Sequence, residues 1–185
     1  MERNKGFSTY RIVFIAVMAA VVCVITFFRF PLLGSKVHFA NAMCLMSGLL
    51  FGPVGGGLAA GIGSALYDGL FGGYDIVNCL ITLVSKFLMA YICALIARPD
   101  NETGKGHIVP GCVIGALSYV ALYMLKTFIY QAFVYGYPME TVWATMLSKL
   151  PASLINAVVA MIAAPVLYAA IRPALVKGGM LEKLR

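Results

Sequence analysis

Charge is scarce in this chain: Asp, Glu, Lys and Arg make up only 11% of its 185 residues, while 62% are hydrophobic. A soluble domain carries about 25% charged residues, so this composition excludes an ordinary globular protein and leaves lipid as the solvent. Histidine occurs only at His38 and His107. They fall in different connections, so no His/Cys/carboxylate set has metal-ligand spacing and no metal site is expected. The five cysteines, at 23, 44, 79, 93 and 112, never form a Cys-x-x-Cys pair and read as packing residues. No G-x-x-x-x-G-K loop is present, so the chain cannot itself be an ATP-driven pump. Neither a Ser/His pair nor paired aspartates occur at one depth, which argues against an intramembrane hydrolase and against an enzyme of any kind.

Long apolar runs fill the space. A bilayer core of about 30 Å takes roughly 20 apolar residues per helix, and breakers divide the chain into spans of about 12–30, 37–51, 55–70, 76–97, 108–135 and 147–171. The stops are Gly52-Pro53, Gly72-Gly73, Arg98-Pro99 and Arg172-Pro173. The first run follows basic residues but no small-residue cleavage site ends it, so it reads as a retained helix rather than a signal peptide. The expectation is an all-α integral membrane protein, a single six-helix bundle over 1–185.

Charge decides whether residues 37–70 make two short spans or one long one. With six spans and both termini cytoplasmic, Arg3, Lys5, Arg11, Arg98, Lys105, Arg172, Lys177, Lys183 and Arg185 lie inside, against Arg29, Lys36 and Lys149 outside. An odd number of spans would put one basic terminus on the wrong side. The net charge of +7 is therefore accounted for by the positive-inside bias, and nucleic acid is not a partner.

Small residues recur at helix-packing spacing: Ala16 and Ala20 on the first span, Gly57, Gly61 and Ala65 on the third, Gly111 and Gly115 on the fifth. The later ladders suit contact within the bundle. On the first span, contact within the bundle and a crossing partner helix stay equally open.

Polar side chains within the spans cost at least about 2.5 kcal/mol when ionisable, and they are functional candidates. Tyr119, Tyr123, Lys126 and Tyr130 fall at i, i+4, i+7 and i+11 on the fifth span, and Lys149, Ser153 and Asn156 repeat i, i+4, i+7 on the sixth. Asn78, Thr82 and Lys86 descend the fourth; Asp68 and Tyr67 mark the third, and His38 and Asn41 the second. All belong to the outer half, whereas the inner halves are mostly Ala, Val, Leu, Ile and Met. Each has a structural alternative: tyrosines pack, Asn156 can bond a neighbouring helix, and Lys86 or Lys126 can neutralise Asp68 or Asp75. Together with Trp143, these groups outline a pocket for a flat ring bearing an acidic or strongly accepting substituent.

The Ala-x-x-x-Ala of the first helix, the loop Arg29–Lys36 and the run from His38-Phe-Ala-Asn-Ala through Phe51-Gly-Pro-Val-Gly-Gly-Gly to Asp68, followed by Lys86-Phe-Leu-Met-Ala, resemble the substrate-binding S components of energy-coupling factor (ECF) transporters. The resemblance implies a high-affinity receptor for a vitamin or vitamin precursor in the cell membrane. Its partners would be a transmembrane coupling protein docked on Ala16 and Ala20 and two cytoplasmic ATPases. ATP would be used by those partners, with no cofactor on this chain, and the cycle would be a toppling of the whole subunit in the membrane. The ligand itself stays open between pyrimidine or pyridine precursors, riboflavin and a carboxylated vitamin. The rival classes are a membrane assembly protein and a stand-alone small-solute transporter; the latter would be expected to show internal repeats with broken helices at the midplane.

Overall fold

The computed structural model describes residues 8–32, 35–97 and 107–180. Arg3, Lys5, Arg98, Lys105, Lys183 and Arg185, part of the charge-bias reasoning, lie outside the described residues. So does the side chain of Lys36.

Helix α1 (Thr9–Phe27) runs through a stretch without glycine or proline. It stops before Arg29, where two short strands form an antiparallel hairpin, β1 (Arg29–Leu32) with β2 (Ser35–His38), in a register that sets Arg29 opposite His38. Pro31 lacks an N–H to donate, and a two-stranded ribbon has an open edge that tolerates it. Residues 29 and 30, expected to end the first span, are therefore strand.

Helix α2 (Ala40–Leu70) breaks in its middle at Gly52, whose φ of 74° and ψ of −175° belong to backbone space open essentially to glycine. Pro53 follows at the first position of the second arm, where its missing N–H costs nothing. Cys44 Sγ lies 3.8 Å from Ser64 Oγ, and the Ser47 hydroxyl donates to the Gly56 carbonyl at 2.9 Å. In a straight helix residues 44 and 64 would stand roughly 30 Å apart. The two arms, 40–51 and 53–70, fold back on each other.

Helix α3 (Ile76–Ala97) begins at Asp75, which caps it by accepting hydrogen bonds from the backbone N–H of Asn78 at 3.3 Å and from its side-chain amide. Helix α4 (Ile108–Ile129) continues into a π-helical turn, Tyr130–Val134. Helix α5 (Met139–Lys177) closes the bundle. Among the described residues, five helices are long and apolar enough to cross a membrane: α1, α2, α3, α4 with its π turn, and α5.

Helix α2 is the axis of the bundle, with 72% of its most apolar window buried, against 28 to 33% for the other four. Small residues allow that centrality. A methyl on Gly61 would stand 2.7 Å from the Leu83 carbonyl oxygen, and one on Gly111 the same distance from that of Cys93. The glycine ladders thus bring α2 and α4 onto α3. On α1 the buried face is Ile15, Met18, Ala19, Val22 and Thr26, and Ala16 and Ala20 face outward. Cys93 and Cys112, far apart in sequence, meet with their sulfurs 3.8 Å apart in the core.

Candidate functional site

A cavity of about 610 Å³ opens at the hairpin end of the bundle, lined by every helix and by both strands. Helical periodicity explains how each element reaches it. Asn78, Thr82 and Ser85 on α3 share one face, as do Lys149, Ser153 and Asn156 on α5; on α4 Tyr119, Tyr123 and Lys126 form one stripe and Thr127 begins a second beside it. The two arms of α2 contribute Asn41 from one side of the break and Ser64 and Asp68 from the other. Only because the arms fold back do these residues stand at one depth.

At the base lies Lys86, 4% exposed. Its ammonium donates to Asn41 Oδ1 and stands 3.6 Å from the centre of the Tyr119 ring. A cation placed over an aromatic face is attracted by the ring's quadrupole, by about 2 kcal/mol where water is excluded. An amide oxygen and an aromatic face, rather than an aspartate, therefore carry this buried charge. Asp75 is engaged by Asn78 as a helix cap, which holds its carboxyl below the ordinary carboxylate range. Tyr119 and Tyr123 stack with centroids 6.4 Å apart, giving the cavity one aromatic wall.

The hairpin forms a second wall. His38 N–H donates to Asn156 Oδ1 at 2.8 Å, tying β2 to α5, and the Arg29 guanidinium lies 4.8 Å from the centre of the Tyr67 ring. Burial, then the neighbouring charges of Lys86 and Arg29, push the His38 imidazole from its ordinary 6.5 down to about 3. At neutral pH His38 is an uncharged donor and acceptor. Among the described residues, the cationic side chains of Arg29, Lys86, Lys126 and Lys149 border the cavity against the carboxylates of Asp68 and Asp75. The arrangement suits a flat, oxygen-bearing ring: tyrosine faces to stack on and ammonium groups to meet oxygens.

The structure brings Asn41, Asp68, Asn78, Thr82, Lys86, Tyr119, Tyr123, Lys126, Tyr130, Lys149 and Asn156 to this cavity. Trp143 is elsewhere: it is 55% exposed, with its ring 6.2 Å from that of Phe128. Val142, seven residues before Lys149, holds the inward position on α5 and is fully buried, and Trp143 is rotated about 100° from it. Thr26, Arg29, His38, Ser64, Tyr74, Asp75, Ser85, Thr127, Gln131, Tyr135 and Ser153 also line the cavity. Ser85 and Thr127 continue or flank stripes already visible in the sequence. Arg29 reaches the site only through the strand pairing, which periodicity cannot show.

Residues 6–173 match the model of the family described as ECF-type riboflavin transporter, S component. The fold is similar to a solved structure described as "Structure and mechanism of the S component of a bacterial ECF transporter", with a TM-score of 0.65 and 21% identity over 89% of this chain and 96% of that one. At that identity the likeness speaks for the fold alone. A Pyrococcus woesei protein described as an uncharacterized protein in gap 3'region is 33% identical over 103 residues, 55% of this chain; the match spans only 66% of that relative's own length.

Proposed function

The chain belongs to the family of ECF-type riboflavin transporter S components, and from that premise we propose that it captures riboflavin, or a flavin close to it, in the hairpin-end cavity for uptake into the cell. As an S component it is a multi-pass membrane transporter subunit and not an enzyme. The observation that carries the ligand assignment is the cavity itself. Its volume of about 610 Å³ lies within the range of small-molecule sites, and its tyrosines and cationic groups suit an isoalloxazine ring with two carbonyl oxygens. Tyr119, Tyr123 and Tyr130 supply faces for the ring. Lys126 and Lys149 meet its oxygens, while Lys86 with Asn41 forms the floor and Asn156 holds the hairpin wall. Asp68, Asn78 and Thr82 complete the polar lining.

In this reading α2 counts as two spans, making six in all, with both termini cytoplasmic and the hairpin outside. The contacts between its arms at Cys44–Ser64 and Ser47–Gly56 support that count. The basic flanks Arg11, Arg172 and Lys177 at the opposite end support the orientation. Energy comes from two cytoplasmic ATPases acting through a transmembrane coupling protein, which docks on the outward-facing Ala16 and Ala20. Toppling of the subunit then delivers the ligand inward without a through-pore. The test is riboflavin uptake into vesicles carrying the chain alone or with coupling protein and ATPases. Uptake that needs ATP and all partners supports the assignment, whereas equal uptake by the chain alone would restore the stand-alone transporter.

A further inference from the structure

Among the described residues, every exposed aromatic side chain lies at one end of the bundle. They fall in 27–39, 71–74 and 133–143, which hold the hairpin, the α2–α3 turn and the α4–α5 turn. Each of these connections also sends residues to the cavity: Arg29 and His38, Gly73 and Tyr74, and Tyr135. The aromatics therefore form a rim around the cavity mouth. At the other end the exposed large side chains, Ile12, Val13, Leu95, Val109, Ile171 and Val176, are aliphatic. Spanning proteins commonly carry aromatic belts at both membrane surfaces, so a one-sided rim calls for a cause.

Backbone and side chains fix the depth of this rim from opposite directions. The two-stranded hairpin has open edges, and the α4–α5 turn leaves helical geometry at Gly136, φ 64°. Open sheet edges and irregular backbone do not face lipid within the hydrocarbon region, which keeps both connections out of the bilayer core. The side chains oppose the other extreme. Phe28, Phe30 and Phe133 are 62, 65 and 76% exposed, and no charged residue occurs from Thr127 to Met139. Immersion in water would leave these apolar faces bare.

Between core and water is the interface, where a Trp or Tyr sets its ring against acyl chains and its polar tip against headgroups. Trp143 is placed for that. On α5 it shares a face with Leu147, Leu154 and Val158, all exposed, so it ends a stripe that faces lipid. Its ring lies 6.2 Å from that of Phe128, which lies 6.2 Å from that of Phe133. Ring contacts thus join the end of α4 to the start of α5.

We propose that the aromatic rim is a one-sided anchor for the headgroup region of the bilayer, holding the cavity mouth level with the membrane surface at the hairpin end. The anchor goes beyond the flavin reading and requires only that the chain spans a membrane. Its occupant is lipid, because the rim continues the stripe that α5 presents to acyl chains and its 127–139 segment has no charge with which to select an acidic or basic protein. A ligand then meets the cavity from water and not through the acyl chains.

Trp143 is the one tryptophan of the chain, so its fluorescence reports the depth of the rim. The purified full chain is reconstituted in phosphatidylcholine vesicles whose acyl chains carry bromine either near the headgroup or near the terminal methyl, and is titrated separately with aqueous iodide. The shallow bromines should remove more of the emission than the deep ones, and more than iodide does. Stronger quenching by the deep bromines would place Trp143 in the hydrocarbon core, and dominant quenching by iodide would place it in water; either result overturns the anchor. Emission that neither bromine nor iodide reaches would overturn it in favour of a second copy of the chain covering the rim. Phe133→Ser combined with Tyr137→Ser, neither of which lines the cavity, should raise the share of emission lost to iodide. An unchanged share would overturn the part of these two side chains in holding the rim, and the wild-type depth profile stands even if the double variant folds poorly.

Discussion

At the scale of single residues, two lysines with the same charge have different duties. Lys86 is buried and bonded to Asn41, so Lys86→Met leaves an acceptor in the core without its donor. The expected loss is about 1–3 kcal/mol of stability, seen as a lower melting temperature in mild detergent, together with weaker riboflavin binding. Lys126 lies at the cavity wall, 5.8 Å from the centre of the Tyr130 ring. Lys126→Ala should weaken binding while leaving the melt close to wild type, and unchanged affinity would move Lys126 to a structural role. Trp143→Phe, off the cavity, should change neither. His38 gives a pH test. Its folded pKa of about 3 lies below the ordinary 6.5, so its contribution to stability is present above about pH 6.5 and declines as the pH falls towards 3. Melts of wild type and His38→Gln should converge as the pH is lowered through that window, and parallel curves would contradict the burial of a neutral imidazole.

At the scale of elements, the break in α2 governs how the site is assembled. Gly52→Ala forces a methyl-bearing residue into glycine-only backbone space, a cost of about 1–3 kcal/mol; chemical denaturation in detergent should show it, and wild-type stability would mean that the arms do not depend on this hinge. The residues that announce this break, Gly52-Pro53, are legible in the sequence, as are the polar stripes on α3, α4 and α5, because periods of four and seven in a helix map onto one face. Trp143 misled because it carries the right chemistry one position away from that face. The hairpin was not legible: Arg29–His38 has no alternation strong enough to mark strands, and Arg29 and His38 reach the cavity through strand pairing and the bond to Asn156. The π turn was equally hidden, since Tyr130 and Gln131 satisfy α-helical periodicity as well.

At the scale of the whole molecule, the proposed function divides the work of the chain between two surfaces. The cavity opens at the hairpin end, and Ala16 and Ala20 lie on the outer face of α1, opposite the residues that pack on α2. Replacing both with leucine should abolish association with the coupling protein and uptake, with riboflavin affinity intact; loss of affinity as well would contradict the separation. If the cavity is a receptor site, this single chain should hold a flavin without ATP or partners. Native mass spectrometry of the chain purified in mild detergent from its own membranes tests that directly. The expected result is a flavin-sized adduct at one per chain that is diminished in Lys126→Ala. A chain that is bare, and stays bare after incubation with riboflavin, would contradict it.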